Sequence, residues 1–279
     1  MSTLGIIGRG RAASALVPRW CAAGHSLVYQ VSRRDGVALE TLPAAEVVVV
    51  ATADRALAEV AEALGKRAAA RSELWLHLSG SVGAEVLRRA PDVPRAVAAL
   101  HPLVAFGADS VGAEPLGAVA GIDGEDAATA VAEVLARDAG LMPIRIASAH
   151  KALYHAAAVT VAGHATALFA QAMRMLAAVG FGAEDARRAL QPLFLSAASN
   201  LAARAPAEAL TGPEVRGDVA TIARHLAAFE ASLGADARAL ATYRLLAREA
   251  LSLAGTRVPA ADAEAIERLL VRANDDRPD

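Results

Sequence analysis

The densest group of titratable side chains in this 279-residue chain is the run Ser148-Ala149-His150-Lys151-Ala152-Leu153-Tyr154-His155. Lys151 and His155 stand four residues apart, so on a helix they share one face, with Tyr154 beside it. An ammonium and an imidazole so placed can protonate or polarise the oxygen or nitrogen of a C=O or C=N bond, one donating while the other orients or relays. Lys151 and His155 are therefore the catalytic candidates. His101, in Leu100-His101-Pro102-Leu103, follows an apolar run, and Pro102 fixes a turn that would project the imidazole toward substrate or a ribose. The loop 211–221, Thr-Gly-Pro-Glu-Val-Arg-Gly-Asp-Val-Ala-Thr, is unusually polar for its surroundings. Asp218 reads as a helix N-cap, with Thr221 and His225 on or near one face of the helix it starts. Arg216 can hold a carboxylate bidentately. His101, Thr211, Arg216, Asp218 and Thr221 are the substrate-binding candidates.

A second constellation lies at the N-terminus. Leu4-Gly5-Ile6-Ile7-Gly8-Arg9-Gly10-Arg11-Ala12-Ala13 places Gly8-x-Gly10-x-x-Ala13 after an apolar run and at a helix start. Gly8 permits the tight turn, Gly10 lets backbone approach a pyrophosphate, and Ala13 lets the helix pack closely on a sheet, which is the arrangement a dinucleotide needs. The helix N-terminus adds free N–H groups and partial positive charge. At the end of the second strand an acid would grip the ribose 2′-hydroxyl of NAD; here the chain reads Val31-Ser32-Arg33-Arg34. A hydroxyl and two guanidinium groups suit a 2′-phosphate, so NADP is the expected cofactor. Arg9 and Arg11 are further phosphate partners, and Ala12 belongs to the same turn. Ala51, Thr52 and Ser79, at the ends of later strands, are expected near the nicotinamide end.

The elements that must position these groups follow from periodicity. Short, mostly β-branched runs at 4–7, 27–31, 47–51, 74–78, 96–100, 118–122 and 142–146 alternate with amphipathic stretches, the pattern of βα units and a parallel sheet. From 151 to 179, 183 to 203, 218 to 233 and 235 to 253, Ala, Leu and Arg recur at helical spacing, with Gly and Pro at the ends. The expected architecture is α/β, with a doubly wound, mostly parallel Rossmann sheet over 1–147 and an all-α domain for substrate binding and dimerisation over 148–279.

The formal charge of −2 and a pI near 6.4 supply no global field for nucleic acid. Apolar residues make up 55% of the chain, much of it Ala among charges, and no uncharged run near membrane-spanning length, no membrane partner and no secretory leader are expected. A cytoplasmic location follows. Cys21 is expected to be buried in helix packing and His77 in a strand core; His25 reads as a helix C-terminal cap. No clustered Cys or His pattern suggests a metal site.

The blocks Gly8–Ala13, Leu76–Gly80, Leu100–Leu103, Lys151–Ala157 and above all Thr211-Gly212-Pro213 with Arg216-Gly217-Asp218 and Thr221 resemble the bacterial family that joins a Rossmann-like domain to a domain of unknown function, DUF2520, often labelled NADP oxidoreductase. More distantly the chain is similar to pyrroline-5-carboxylate reductase, ketopantoate reductase and the β-hydroxyacid dehydrogenases. That resemblance implies a cleft between the halves and a homodimer formed through the helices. The β-hydroxyacid enzymes place Asn four residues after a catalytic Lys; this chain has His155, and Gly163 stands where the closer family would have Asn. The leading expectation is hydride transfer between NADPH and a small oxo or imino acid. A non-catalytic NADP-binding sensor or partner subunit is the alternative, and His101-Pro102 after a strand admits a prephenate-dehydrogenase-like activity as a third.

Overall fold

In the computed structural model, residues 1–107, 117–233 and 237–271 are described. The chain divides into two compact units, Met1–Gly163 and His164–Asp279. The division falls sixteen residues beyond the 147/148 boundary expected from sequence, because the helix that starts at Lys151 is tied to the sheet through Lys151 and Tyr154.

The first unit is built on seven strands, each within a few residues of the apolar runs. They are β1 (Thr3–Ile7), β2 (Ser26–Val31), β3 (Val47–Val50), β4 (Leu74–His77), β5 (Ala96–Pro102), β6 (Val119–Gly124) and β7 (Met142–Arg145). Their order is β2-β1-β3-β4-β5-β6-β7. The first five are mutually parallel, β6 runs antiparallel to β5, and β7 is parallel to β6. The winding reverses between β1 and β3, and in open sheets of this kind the crevice at such a switch point is where ligands bind.

The central strands are apolar on both faces because both faces are covered. On one side Leu4, Ile6, Val47, Val49, Leu76 and Ala98 pack under α1 (Arg11–Ala22) and α3 (Asp126–Asp138). On the other, Ile7, Val48, Val50, Trp75 and Ala99 pack under α2 (Leu57–Leu64) and the 3₁₀ segment Ala84–Arg89. Helix α1 buries Ala13, Leu16, Val17 and Trp20, a stripe at helical spacing. Cys21 lies just outside that stripe and is exposed, so the expected buried packing does not hold. His25 closes α1 as expected, through its backbone N–H to Trp20 O at 3.0 Å after the left-handed Gly24, while its buried imidazole accepts from the Ser2 N–H at 3.1 Å and lies 2.8 Å from Asp138 Oδ2. His77 is buried in the core as expected.

After β7 the chain forms α4 (Lys151–Val159), a π-helical turn at Thr160–His164, and α5 (Ala165–Ala178). Residues 152–173 contain no Asp, Glu, Lys or Arg, contrary to the expectation that no uncharged run nears membrane-spanning length. By length and composition alone, the helical run Ser148–Ala178 could cross a membrane, and none of its apolar window is buried within the chain. In the second unit follow α6 (Ala183–Ala203), α7 (Pro206–Ala209), α8 (Val219–Leu233), α9 (Ala237–Ala254) and α10 (Ala260–Leu270). Helix α10 was not expected; Pro259 starts it, and its Ile266 and Leu270 join Ile222, Leu226 and Ala247 in a small core.

Candidate active site

In a parallel sheet every strand delivers its carboxyl end to the same edge, so β1, β3, β4 and β5 present Gly8, Ala51, Ser79 and His101 along one rim. Gly8, at φ +133°, hydrogen-bonds through its N–H to Val31 O at 2.7 Å, and a Cβ there would lie 2.3 Å from Ala51 O. Only glycine takes this turn at the switch point. Around Gly10 a Cβ would meet open space, so the backbone at the start of α1 is free for a ligand to approach. No side chain caps α1 and no acid occupies its first turn; instead Arg9 and Arg11 flank it. Cations at the positive end of a helix favour an anion there. Thr52 Oγ1, beyond β3, is buried and has no hydrogen-bond partner among the described residues. The glycine cradle, the anion-favouring helix end and this orphaned hydroxyl fit a dinucleotide.

At the end of β2, Arg33 and Arg34 are exposed in a 3₁₀ turn capped by Ser32. Asp35, one residue past the stretch that sequence reasoning judged acid-free, closes this turn. Its carboxylate accepts from the Ser32 N–H at 2.8 Å and from Arg9 Nε at 3.2 Å. Those bonds hold its carboxyl below the usual range, the Ser32 N–H first. Arg9 also donates to Gln30 O at 2.6 Å, and the Gln30 amide donates to Gly8 O at 3.0 Å, so the glycine turn and the β2 end are held as one piece.

The second group stands at the β4 and β5 ends. Lys151 is 2% exposed, and its ammonium donates to Ser79 O at 3.2 Å. Burial lowers its pKa, opposed by the carboxylates of Asp123, Glu85 and Asp54. The Ser79 hydroxyl is committed to its own turn, accepting from the Ser81 and Val82 N–H groups. Ser81 donates to Asp54 at 2.7 Å, and Asp123 accepts from Ser148 at 2.6 Å and from the Ala84 N–H at 3.0 Å.

His101 and Pro102 close β5 rather than forming a turn after it. The His101 ring lies edge-on to Tyr154 and to His155, with centroids 5.5 and 5.6 Å away, and its Nδ1 is 3.2 Å from the Tyr154 hydroxyl. Burial, then the neighbouring His155 and Lys151, push the His101 pKa down to about 4. Two glycines make room for these rings. A Cβ on Gly80 would come within 2.6 Å of His155 and 2.7 Å of His101; one on Gly121 would come within 2.8 Å of Tyr154. Beyond them opens a cavity of about 710 Å³, lined by residues 101–105 and by Tyr154, His155 and the small residues that follow them in α4 and the π-helical turn.

The structure thus brings Lys151, His155, His101 and Ser79 together, and separately Gly8, Arg9, Gly10, Arg11, Ala12, Ala13, Ser32, Arg33, Arg34, Ala51 and Thr52. The 211–221 loop belongs to the second unit. There Asp218 N-caps α8 as expected, accepting from the Thr221 N–H at 2.9 Å and the Thr221 hydroxyl at 2.6 Å. Thr211 and Arg216 are exposed, and His225 turns to Tyr243 at 2.8 Å. Sequence reasoning missed Gly80, Gly121, Asp35 and the Asp54 and Asp123 carboxylates. The two glycines have ordinary negative φ, so nothing local marked them; Asp35 was within reach, as the third residue after a candidate Ser cap.

No curated protein matches the chain. Among solved structures it is similar to a provisionally assigned NADP oxidoreductase of Bacteroides fragilis, at 21% identity and TM-score 0.71 over 90% of this chain and 98% of that one. It is also similar to an imine reductase of Myxococcus stipitatus in complex with NADP⁺, at 15% identity and TM-score 0.59 over 95% and 99%. A third likeness is to the pyrroline carboxylate reductase of Plasmodium falciparum with NADP bound, at 10% identity and TM-score 0.57 over 97% and 98%. At these identities the likeness establishes the fold, a Rossmann-type sheet followed by helices. Residues 118–250 match the family described as a domain of unknown function, DUF2520.

Proposed function

We propose that the protein is an NADP-dependent oxidoreductase, acting in the cytoplasm, that reduces a C=O or C=N bond of a small oxo or imino compound. The observation that carries this reading is the placement, along one sheet edge, of a glycine turn built for a pyrophosphate and a proton-bearing group of imidazole, phenol and ammonium. The solved relatives named with NADP, and with imine or pyrroline carboxylate reduction, support it.

Gly8, Gly10 and the N-terminus of α1 would hold the pyrophosphate, Arg33, Arg34 and Ser32 the 2′-phosphate, and Ala51 and Thr52 the nicotinamide half. When bound, the reduced cofactor supplies a hydride to the electrophilic carbon. The chain supplies the balancing proton to oxygen or nitrogen. His155 lines the cavity and is the group we assign to that step, with the His101 ring packed edge-on against it. Lys151 lies behind them. By holding the Ser79 carbonyl it keeps Gly80 in the position against which both imidazoles pack, so we assign it a positioning role. We further propose that a second copy of the chain covers the exposed apolar surface of the helices, where Leu193, Leu195 and Leu201 are each more than half exposed.

The test is a paired titration with NADPH and NADH, following nicotinamide fluorescence, on the wild type and on Arg33→Ala/Arg34→Ala. NADPH binding that weakens at least tenfold in the variant, with NADH binding little changed, is expected. Failure of the wild type to bind either nucleotide would overturn the reading.

A further inference from the structure

The cavity beside His101 and His155 restricts what the substrate carries, an argument that rests on the oxidoreductase reading above. At about 710 Å³ it falls in the range of sites that bury ligands of drug size rather than three- to five-carbon acids. Among the described residues that line it there is no Asp, Glu, Lys or Arg; beyond the two imidazoles and the Tyr154 phenol the walls are Ala, Val, Leu, Pro and Gly. The ammonium of Lys151 lies behind this wall, does not line the cavity and donates to the Ser79 carbonyl. Three carboxylates, on Asp54, Glu85 and Asp123, act on that ammonium and would oppose a second anion in their neighbourhood. Burial keeps His101 uncharged at neutral pH, so it offers a hydrogen bond but no counter-charge. A carboxylate entering such a space gives up hydration and meets no cation among the described residues of the wall, so it is disfavoured against an uncharged group.

We propose that this cavity takes an uncharged, largely apolar substituent on the C=O or C=N carbon, and that the substrate is an apolar ketone or imine without a carboxylate next to the reacting carbon. Ala157, Ala158 and Ala162 leave the width such a substituent needs, and Leu103 and Val161 give it an apolar wall.

Phenylacetone and phenylpyruvate test this, since they differ in carrying methyl or carboxylate beside the same ketone. Each is titrated into the protein loaded with NADP⁺, which cannot reduce either probe, and followed by calorimetry and by the imidazole C–H resonances of His101 and His155. Phenylacetone is expected to bind at least tenfold more tightly and to shift both resonances, and Ala158→Arg to reverse the preference. Phenylpyruvate binding as tightly as phenylacetone in the wild type, or phenylacetone binding without moving either resonance, would overturn the proposal. Repeating the titration without nucleotide separates the two readings. If the preference for phenylacetone persists in a protein that fails the NADPH test, the redox reading falls and the cavity assignment stands.

Discussion

Replacing Gly80 by Ala tests the packing of the imidazole pair without knowledge of the substrate. The added methyl would start 2.6 Å from His155 Cδ2 and 2.7 Å from His101 Cε1 and Nε2, against the roughly 3.5 Å or more that carbon contacts require. One or both rings must therefore retreat by nearly 1 Å. Because His101 is also fastened to Tyr154 and His155 is not fixed by any such bond among the described contacts, His155 is expected to move further. Overpacking of this kind costs about 1–3 kcal/mol of stability. A displacement of about 1 Å at a proton-donating group costs on the order of a hundredfold in kcat/KM. The NMR titration of His101 gives the direct readout. Its pKa of about 4 depends first on burial and next on the closeness of His155, so loosening the pair should raise it toward 6.5. NADPH affinity should stay within twofold, since the Gly8 turn is untouched. A His101 titration identical to wild type, with unchanged stability, would show that the rings do not rest on Gly80 and would remove the basis for the positioning role of Lys151.

Lys151→Met should lower turnover by tenfold or more while leaving NADPH affinity intact; wild-type turnover and an unchanged His101 titration would refute its hold on the Ser79 turn. The folded protein should lose stability as pH falls from about 6.5 to 4. Buried His77 and His101 stay neutral there, each with a pKa near 4, while the unfolded chain takes up protons at 6.5. For His77 that difference is worth roughly 3 kcal/mol, and urea midpoints that do not fall over this window would contradict it. Asp218→Ala removes the cap of α8 and should cost about 1 kcal/mol by thermal melting, without affecting NADPH binding. Size-exclusion chromatography with light scattering should give twice the chain mass, and charged substitutions at Leu193 and Leu195 should reduce it; a wild-type monomer would refute the proposed second copy.

Much of the sheet was legible because its strands are covered on both faces, which writes them as continuous apolar runs bounded by Gly and polar residues. The glycine turn was legible because positive φ at Gly8 and close approach at Gly10 demand that residue. The reversed direction of β6 was not, since an apolar run has no polarity of its own and only its pairing fixes it. Helix α10 escaped because Pro259 read as an end, whereas proline also starts helices well. Lys151 and His155 were found through their spacing, but that spacing could not tell which of the two is buried. Burial is decided by the Ser79 carbonyl, 72 residues away.

The direction of β6 also bears on what counts as a module in this protein. The DUF2520 match begins at residue 118, one residue before β6, and so cuts the sheet between its fifth and sixth strands. Ala120 and Ile122 of β6 share one core with Leu4, Ile6 and Trp20, all supplied by the part that precedes the match. A truncated chain spanning 118–250 would keep β6 and β7 but bare the whole edge that β5 covers, a strand of unpaired N–H and C=O groups beside an opened core. Residues 118–250 therefore do not hold the whole of the core they help to build, and a chain cut at this boundary is expected to aggregate rather than fold by itself.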